Sequence, residues 1–85
     1  MADNKHSYVF VFGDESCYVT EPVNSLHDAI AHLAKYEYGS EEPIRKCLVG
    51  FADDEVEQMI RLYNKICYGT VIGVYELSRT LYEKE

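Results

Sequence analysis

The stretch "SYVFVFG", residues 7–13, decides the centre of the predicted fold. Its apolar run combines β-branched and aromatic residues, which is typical of a β-strand. Because the run does not alternate with polar residues, it predicts a central strand covered on both faces. "GDES" (13–16) has the chemistry of a turn. "CYVTE" (17–21) then returns as the partner strand, which Pro22 ends.

The first predicted helix covers "NSLHDAIAHLAKYEYG", residues 24–39. Asn24 or Ser25 caps its start, and Asp28 follows Ser25 at the spacing of a capping box. Gly39 is a natural stop for the helix. One stripe at helical spacing is expected to face the core: Leu26, Ala29, Ile30, Leu33 and Tyr36.

The second predicted helix begins in the acidic stretch "FADDEVEQMI", residues 51–60. The helix is expected to begin near Asp53 or Asp54, and Asp54 with Glu57 has the spacing of a capping box. Glu57 can also pair with Arg61 one turn later. The buried stripe predicted for this helix is Val56, Met59, Ile60, Tyr63, Ile66 and Cys67.

Two further strands complete the predicted fold, "KCLVGF" (46–51) and "TVIGVYELSRTLY" (70–82). The order β-β-α-β-α-β predicts an α+β domain with a four-stranded mixed sheet and both helices on one face. A three-stranded sheet with 46–51 irregular is the alternative. The chain, 1–85, is expected to be one compact domain whose ends, 1–6 and 83–85, are frayed.

The charge of the chain is acidic, with 15 Asp and Glu against 8 Lys and Arg and a net charge of −7. This balance argues against direct binding to nucleic acid or to an anionic membrane, since both need Lys and Arg. It permits plain solubility or a partner with a basic surface. No apolar run approaches the ~18 residues of a membrane span, so a cytoplasmic protein is expected.

The three cysteines, Cys17, Cys47 and Cys67, form no CxxC pair, so no zinc knuckle or thioredoxin-like site is indicated. Each lies in an apolar run, which predicts buried thiols in a reducing compartment. His27 and His32 lie ~140° apart around a helix and cannot share one metal ion from it. We expect His32 to pair with Asp28.

No catalytic set emerges from the remaining residues. Glu21 and Glu76 are not placed across a predicted cleft, and the glycines are dispersed. Gly73, inside a strand, marks a bulge or the close approach of another backbone. The sequence therefore predicts no enzyme activity, cofactor or metal. A thiol-dependent enzyme that uses a cysteine with His27 or His32 is an alternative.

The tyrosine content points to a protein interface, because the eight Tyr exceed what a core of this size absorbs. Tyr38 and Tyr68 stand at helix ends beside a glycine, and Leu62 lies off its helix's apolar stripe. With the acidic residues they give the predicted partner-binding set: Glu41, Glu42, Asp53, Asp54, Glu55, Glu57, Tyr38, Leu62 and Tyr68.

Residues 18–36 resemble a pattern of small phage and plasmid proteins, in which a strand and turn lead into a helix opened by Ser25, Asp28 and Ala29. The whole chain is similar in kind to small acidic phage-encoded inhibitors, including anti-CRISPR proteins and DNA mimics. The resemblance implies a non-enzymatic inhibitor of a larger nucleic-acid-handling host complex, such as a CRISPR effector, in the host cytoplasm. A homodimer formed through Leu62, Tyr82 or the edge of the last strand is the other alternative.

Overall fold

The computed structural model describes residues 5–77 and 79–84. Within them the chain is α+β, as predicted, but the order is β-β-α-α-α-β-β and the number of helices is three. The elements are β1 (Tyr8–Phe12), β2 (Cys17–Val19), α1 (Leu26–Tyr38), α2 (Glu42–Leu48), α3 (Val56–Cys67), β3 (Val71–Glu76) and β4 (Arg79–Glu83).

The sheet has the order β2-β1-β3-β4, and every neighbouring pair is antiparallel. β1 is therefore an inner strand, as predicted. The predicted mixed sheet is wrong because its parallel pair required a strand at 46–51 joined through a helix to 70–82, and no strand forms at 46–51. The segment 70–82 also does not run as one strand. It folds back near Leu77 into the hairpin of β3 and β4, in which Glu76 pairs with Arg79. The polar half of this segment thus becomes the edge strand.

The segment 46–51 is not a strand. It overlaps the end of α2, which carries Pro43 in its first turn, where the missing N–H costs nothing. Ile44 and Leu48 lie one helical turn apart and are both fully buried. Since α2 packs against α1 and α3, these tertiary contacts outweigh the strand propensity of "KCLVGF".

α1 follows its sequence signals closely. The Ser25 hydroxyl accepts a hydrogen bond from the Asp28 N–H at 3.2 Å, and Gly39 ends the helix at φ 89°. The "GDES" turn also forms, with the Asp14 carboxylate accepting from the Ser16 N–H at 3.0 Å. Tyr36 departs from the prediction, because it belongs to the predicted buried stripe but is 68% exposed.

The core lies on one face of the sheet. Tyr8, Phe10 and Phe12 alternate toward the helices and are buried, whereas Val9 and Val11 between them are half-exposed on the other face. The core cluster joins these three aromatic residues to the buried side chains of all three helices that the structure describes. The prediction that β1 is covered on both faces is therefore wrong for the described residues.

The two ends of the described chain are hydrogen-bonded. His6 and Val23 exchange backbone hydrogen bonds at 2.8 and 2.9 Å, and Glu83 belongs to β4. Of the residues predicted to be frayed, 1–4 and 85 lie outside the described residues.

We expect Thr20→Val to lower the free energy of unfolding by about 1–3 kcal/mol. Thr20 is buried, and its hydroxyl accepts the backbone N–H of Tyr8 at 3.0 Å. Valine keeps the shape but leaves that N–H without an acceptor. Urea denaturation followed by circular dichroism measures the loss. Thr20→Ser keeps the hydroxyl and should cost clearly less; equal losses would contradict the role of the hydrogen bond.

Candidate functional site

The acidic turn, defined as Asp53, Asp54, Glu55 and Glu57, lies at the start of α3. The helix begins at Val56, two residues after Asp54, so it starts slightly later than predicted. Two successive backbone turns occupy the preceding loop: the Phe51 N–H donates to the Leu48 carbonyl and the Glu55 N–H to the Ala52 carbonyl, both at 3.0 Å. These turns delay the helix.

Capping by the acidic turn also differs from the prediction. Glu55 is the N-cap, but its carboxylate accepts from the Ala52 N–H at 2.8 Å and not from the helix. The predicted capping box of Asp54 and Glu57 does not form. Glu57 does pair with Arg61, as predicted. Asp54 is exposed and makes no hydrogen bond or ion pair with a described residue, so its carboxylate is available to a ligand.

His27 ties α1 to the acidic turn. Its Nε2 lies 2.7 Å from the Phe51 carbonyl oxygen, and its Nδ1 lies 3.1 Å from Asp53 Oδ1. Because both neighbours are acceptors, only the doubly protonated ring donates to both. His27 thus links α1 to the loop before α3, and neither ring nitrogen is directed at a cysteine.

A second ion-pair system begins at the next residue of α1. Arg45 Nη1 lies 3.0 Å from Asp28 Oδ1, and Arg45 Nε donates to Glu41, the N-cap residue of α2. The hydrogen bond from Arg45 holds the pKa of Glu41 below its usual value. Asp28 therefore pairs with Arg45, and the predicted pair of His32 with Asp28 is wrong. Glu42 beside Glu41 is exposed.

A cleft of ≈ 340 Å³ separates the acidic turn from the edge strand. Tyr8, Leu26 and Val56 contribute to its lining, together with Asp53, Asp54, Arg79, Thr80 and Leu81. Burial raises the pKa of Tyr8, and the negative charges of Glu76 and Asp53 raise it further. The cleft thus presents carboxylates on one side, but Arg79 on the other limits its negative potential.

The tyrosine end, defined as Tyr36, Tyr38 and Tyr68, lies where α1 and α3 both finish. The two helix ends are joined by the Tyr63 hydroxyl, which donates to Glu37 at 2.8 Å. Tyr38 is 51% exposed and Tyr68 is 86% exposed, while Tyr36 stacks on Tyr18 with ring centroids 4.4 Å apart. Sequence reasoning found Tyr38 and Tyr68 but missed Tyr36, whose stripe position pointed inward.

The predicted set of nine residues is therefore not one patch. The acidic turn lies at the start of α3 and the tyrosine end at its finish, and a helix of this length separates them by about 18 Å. Leu62, expected to be exposed, is half-buried and packs against the core. Val49, 82% exposed, and Leu77, fully exposed, were not predicted.

The cysteines are more accessible than predicted. Cys17 and Cys47 are exposed, and Cys67 is half-buried, so the expectation of three buried thiols is wrong. Burial raises the pKa of the Cys67 thiol, and the charge of Glu37 adds to the effect. Cys17 lies on a three-residue edge strand. A short apolar run at an edge does not require burial of each residue in it.

No group of three or more His, Cys, Asp or Glu among the described residues could hold a metal ion. None of the helices in residues 5–77 and 79–84 has the length and apolar character needed to cross a membrane.

Comparisons with protein-family models, with curated proteins and with solved structures find no match to this chain.

Proposed function

We propose that this chain is a non-enzymatic, phage-encoded protein that binds and inhibits or modulates a larger nucleic-acid-handling complex in the host cytoplasm. A CRISPR effector is the type of target that fits, since it carries basic channels for nucleic acid. The tyrosine end makes the contact, and the acidic turn directs the approach to a basic surface. The observation that carries the proposal is the conformation and exposure of Tyr68.

Tyr68 occupies a backbone conformation that favours glycine. Its φ is 53°, in the left-handed region, which costs a residue with a side chain about 1–2 kcal/mol. The ring regains little of this by packing, since it is the most exposed ring of the tyrosine end. A glycine at this position would end α3 at lower cost. A side chain kept outward at the expense of stability supports a role in recognition.

The acidic residues support steering of the encounter and not extended mimicry of DNA. Arg45, Arg61 and Arg79 each pair with a carboxylate, and His27 pairs with Asp53. The unpaired negative charge is thus sparse compared with duplex DNA, which has one charge per ~1.7 Å of axis. A local negative patch still raises the rate of association with a basic groove.

Neutralising the acidic turn should therefore weaken capture of the partner by roughly three- to tenfold at low salt and much less at high salt. The variant combines Asp54→Asn with Glu55→Gln and Glu57→Gln, and the side-chain amide oxygen introduced at position 55 can still accept the Ala52 N–H. The measurement is quantitative affinity capture from host lysate with tagged protein, followed by mass spectrometry at a series of salt concentrations.

The matched control removes three charges outside the acidic turn and outside the tyrosine end. Asp3→Asn, Glu21→Gln and Glu85→Gln change the net charge equally and should leave capture close to that of the wild type. Equal losses from both triple variants would mean that net charge alone matters. If the tagged wild-type chain recovers no host protein above background, the proposal is contradicted.

A further inference from the structure

The sheet has a second face that no described helix covers. By the strand register, Val9 and Val11 on β1 share this face with Cys17 and Val19 on β2 and with Gly73 and Tyr75 on β3. None of these belongs to the core cluster or to the half-buried residues packed on it. We call Val9, Val11, Cys17, Val19, Gly73 and Tyr75 the open face. Leu77 continues it at one end, beside Val9 and Val19 around a shallow groove.

The open face is flat as well as apolar. A Cβ at Gly73 would lie 2.8 Å from the ring of Tyr75, so the ring lies over the glycine backbone. The Tyr75 hydroxyl donates to Glu83 at 2.9 Å, which fixes the ring along the sheet. Gly73 thus meets an aromatic ring and not another backbone, contrary to one of the expectations from sequence. A flat aromatic cover suits packing against a second sheet.

The central strand explains why this face needs a partner. β1 carries valines on the open face where an antiparallel sheet exposed to water normally carries polar residues. Val19 is 58% exposed on β2. Exposed contiguous apolar surface of this kind marks an interface with a partner.

We propose that a second copy of this chain covers the open face, in a symmetric dimer with the two sheets face to face. Four strands about 4.8 Å apart and about five residues long make a face of roughly 19 by 17 Å. This is smaller than the ~800 Å² per partner of a standard interface, so we expect a weak dimer with a dissociation constant of tens of micromolar.

The charges at the two ends of the open face favour a copy of the same chain. Lys5 and His6 lie at the end where β1 begins, and Asp14 and Glu15 lie in the turn where it finishes. A two-fold axis that reverses the strand direction places Lys5 of one copy near Glu15 of its partner, twice per dimer. Glu76, which lines the groove beside Lys5, contacts His6 at 2.6 Å, so Lys5 is the cation at this end that remains for a partner. Glu83 lies at the margin of the face and accepts a hydrogen bond from the Tyr75 hydroxyl.

The dimer does not depend on the proposed function. The helices pack on the opposite side of the sheet from the open face. Face-to-face packing therefore leaves the tyrosine end of each copy free, and the dimer would display two tyrosine ends. Two linked binding surfaces raise avidity where a target offers two sites.

The test is analytical ultracentrifugation of the purified chain from about 1 μM to about 500 μM. The wild-type mass should rise from 9.8 kDa toward twice that value. Val19→Lys and Leu77→Lys should each weaken the dimer by roughly tenfold or more, because each places two lysines in the interface. Leu77→Lys lies in an exposed turn and tests the face even if Val19→Lys fails to fold, which circular dichroism reports.

Val49→Lys is the matched control, since it makes the same substitution as Val19→Lys at an exposed position between α2 and α3. It should dimerise like the wild type. Lys5→Glu should weaken the dimer, and Glu15→Lys in the same chain should restore it. A wild-type mass that stays at 9.8 kDa throughout, an equal effect of Val49→Lys, or open-ended growth to larger species would overturn the face-to-face dimer. Absence of restoration by Glu15→Lys would overturn its antiparallel arrangement.

Discussion

Replacement of Tyr63 by alanine is expected to lower the free energy of unfolding by about 3–5 kcal/mol. Tyr63 is fully buried, and its side chain is the largest among the fully buried residues. A domain of this length has a total stability of roughly 4–13 kcal/mol. The variant should therefore lose roughly a quarter or more of the total stability. Urea denaturation followed by circular dichroism measures the change.

Tyr63→Phe separates the ring from its hydroxyl. The hydroxyl donates to the exposed Glu37 at 2.8 Å, and its removal should cost about 1–2 kcal/mol. A loss as large as that of the alanine variant would contradict the view that the ring's packing dominates. Gly69 belongs to the same packing, because a Cβ there would lie 2.6 Å from the Tyr63 ring.

The free energy of unfolding at alkaline pH gives an independent test of the environment of Tyr63. Burial raises the pKa of Tyr63 well above its usual 10. The Glu37 carboxylate, which accepts a hydrogen bond from the Tyr63 hydroxyl, adds to the shift. Above about pH 10 the unfolded chain releases this proton while the folded chain keeps it, so stability is full below that pH and falls as pH rises. The loss from this group is about 1.4 kcal/mol per pH unit. Tyr63→Phe should lose stability less steeply than the wild type; equal slopes would contradict the assignment.

The parts of the fold that the sequence predicted are those with strong local signals. "SYVFVFG" becomes β1, "GDES" becomes its turn, and Ser25 and Gly39 bound α1 as expected. The stripe of α3 is also largely confirmed, with Tyr63 fully buried. In each case the backbone hydrogen bonds and the apolar period agree, so tertiary contacts did not have to decide the outcome.

The wrong predictions have non-local causes. The apolar run 46–51 looked like a strand, but Leu48 is held in α2 by contacts with the other helices. The hairpin after β3 turns at Leu77 without the Gly or Pro that usually signals a turn. Both outcomes depend on partners distant in the chain, which single-sequence patterns do not contain.

The residues of the candidate site also divide into those predicted from local signals and those that depend on distant contacts. Helix-end reasoning located Tyr38 and Tyr68, which lie at the ends of α1 and α3 and are exposed. Capping reasoning failed for the acidic turn, since Asp53 pairs with His27, which is 26 residues away. The open face was missed because the apolar run of β1 predicts burial of both faces of the strand. It does not show which element or which partner covers each face.

Tyr68→Gly is expected to weaken capture of the partner by roughly thirtyfold or more, the effect of losing a central aromatic contact. The same substitution should leave stability unchanged or raise it by up to about 1 kcal/mol, since it relieves the left-handed backbone at φ 53°. Loss of binding without loss of stability is the signature that separates a recognition residue from a structural one. Quantitative capture from host lysate and urea denaturation measure the two effects on the same preparations.

Glu15→Gly is the control for the backbone part of this prediction. Glu15 is the other described residue with a side chain at positive φ, 71°, and it lies outside the tyrosine end. It should show the same neutral or favourable effect on stability, while capture by about 1 μM tagged protein, well below the dissociation constant expected for the dimer, stays at the wild-type level. If Tyr68→Gly instead retains full capture, the ring makes no contact with the partner. The tyrosine end would then lose its main support as the binding surface, because the exposure and conformation of Tyr68 are the observation that carries the proposal.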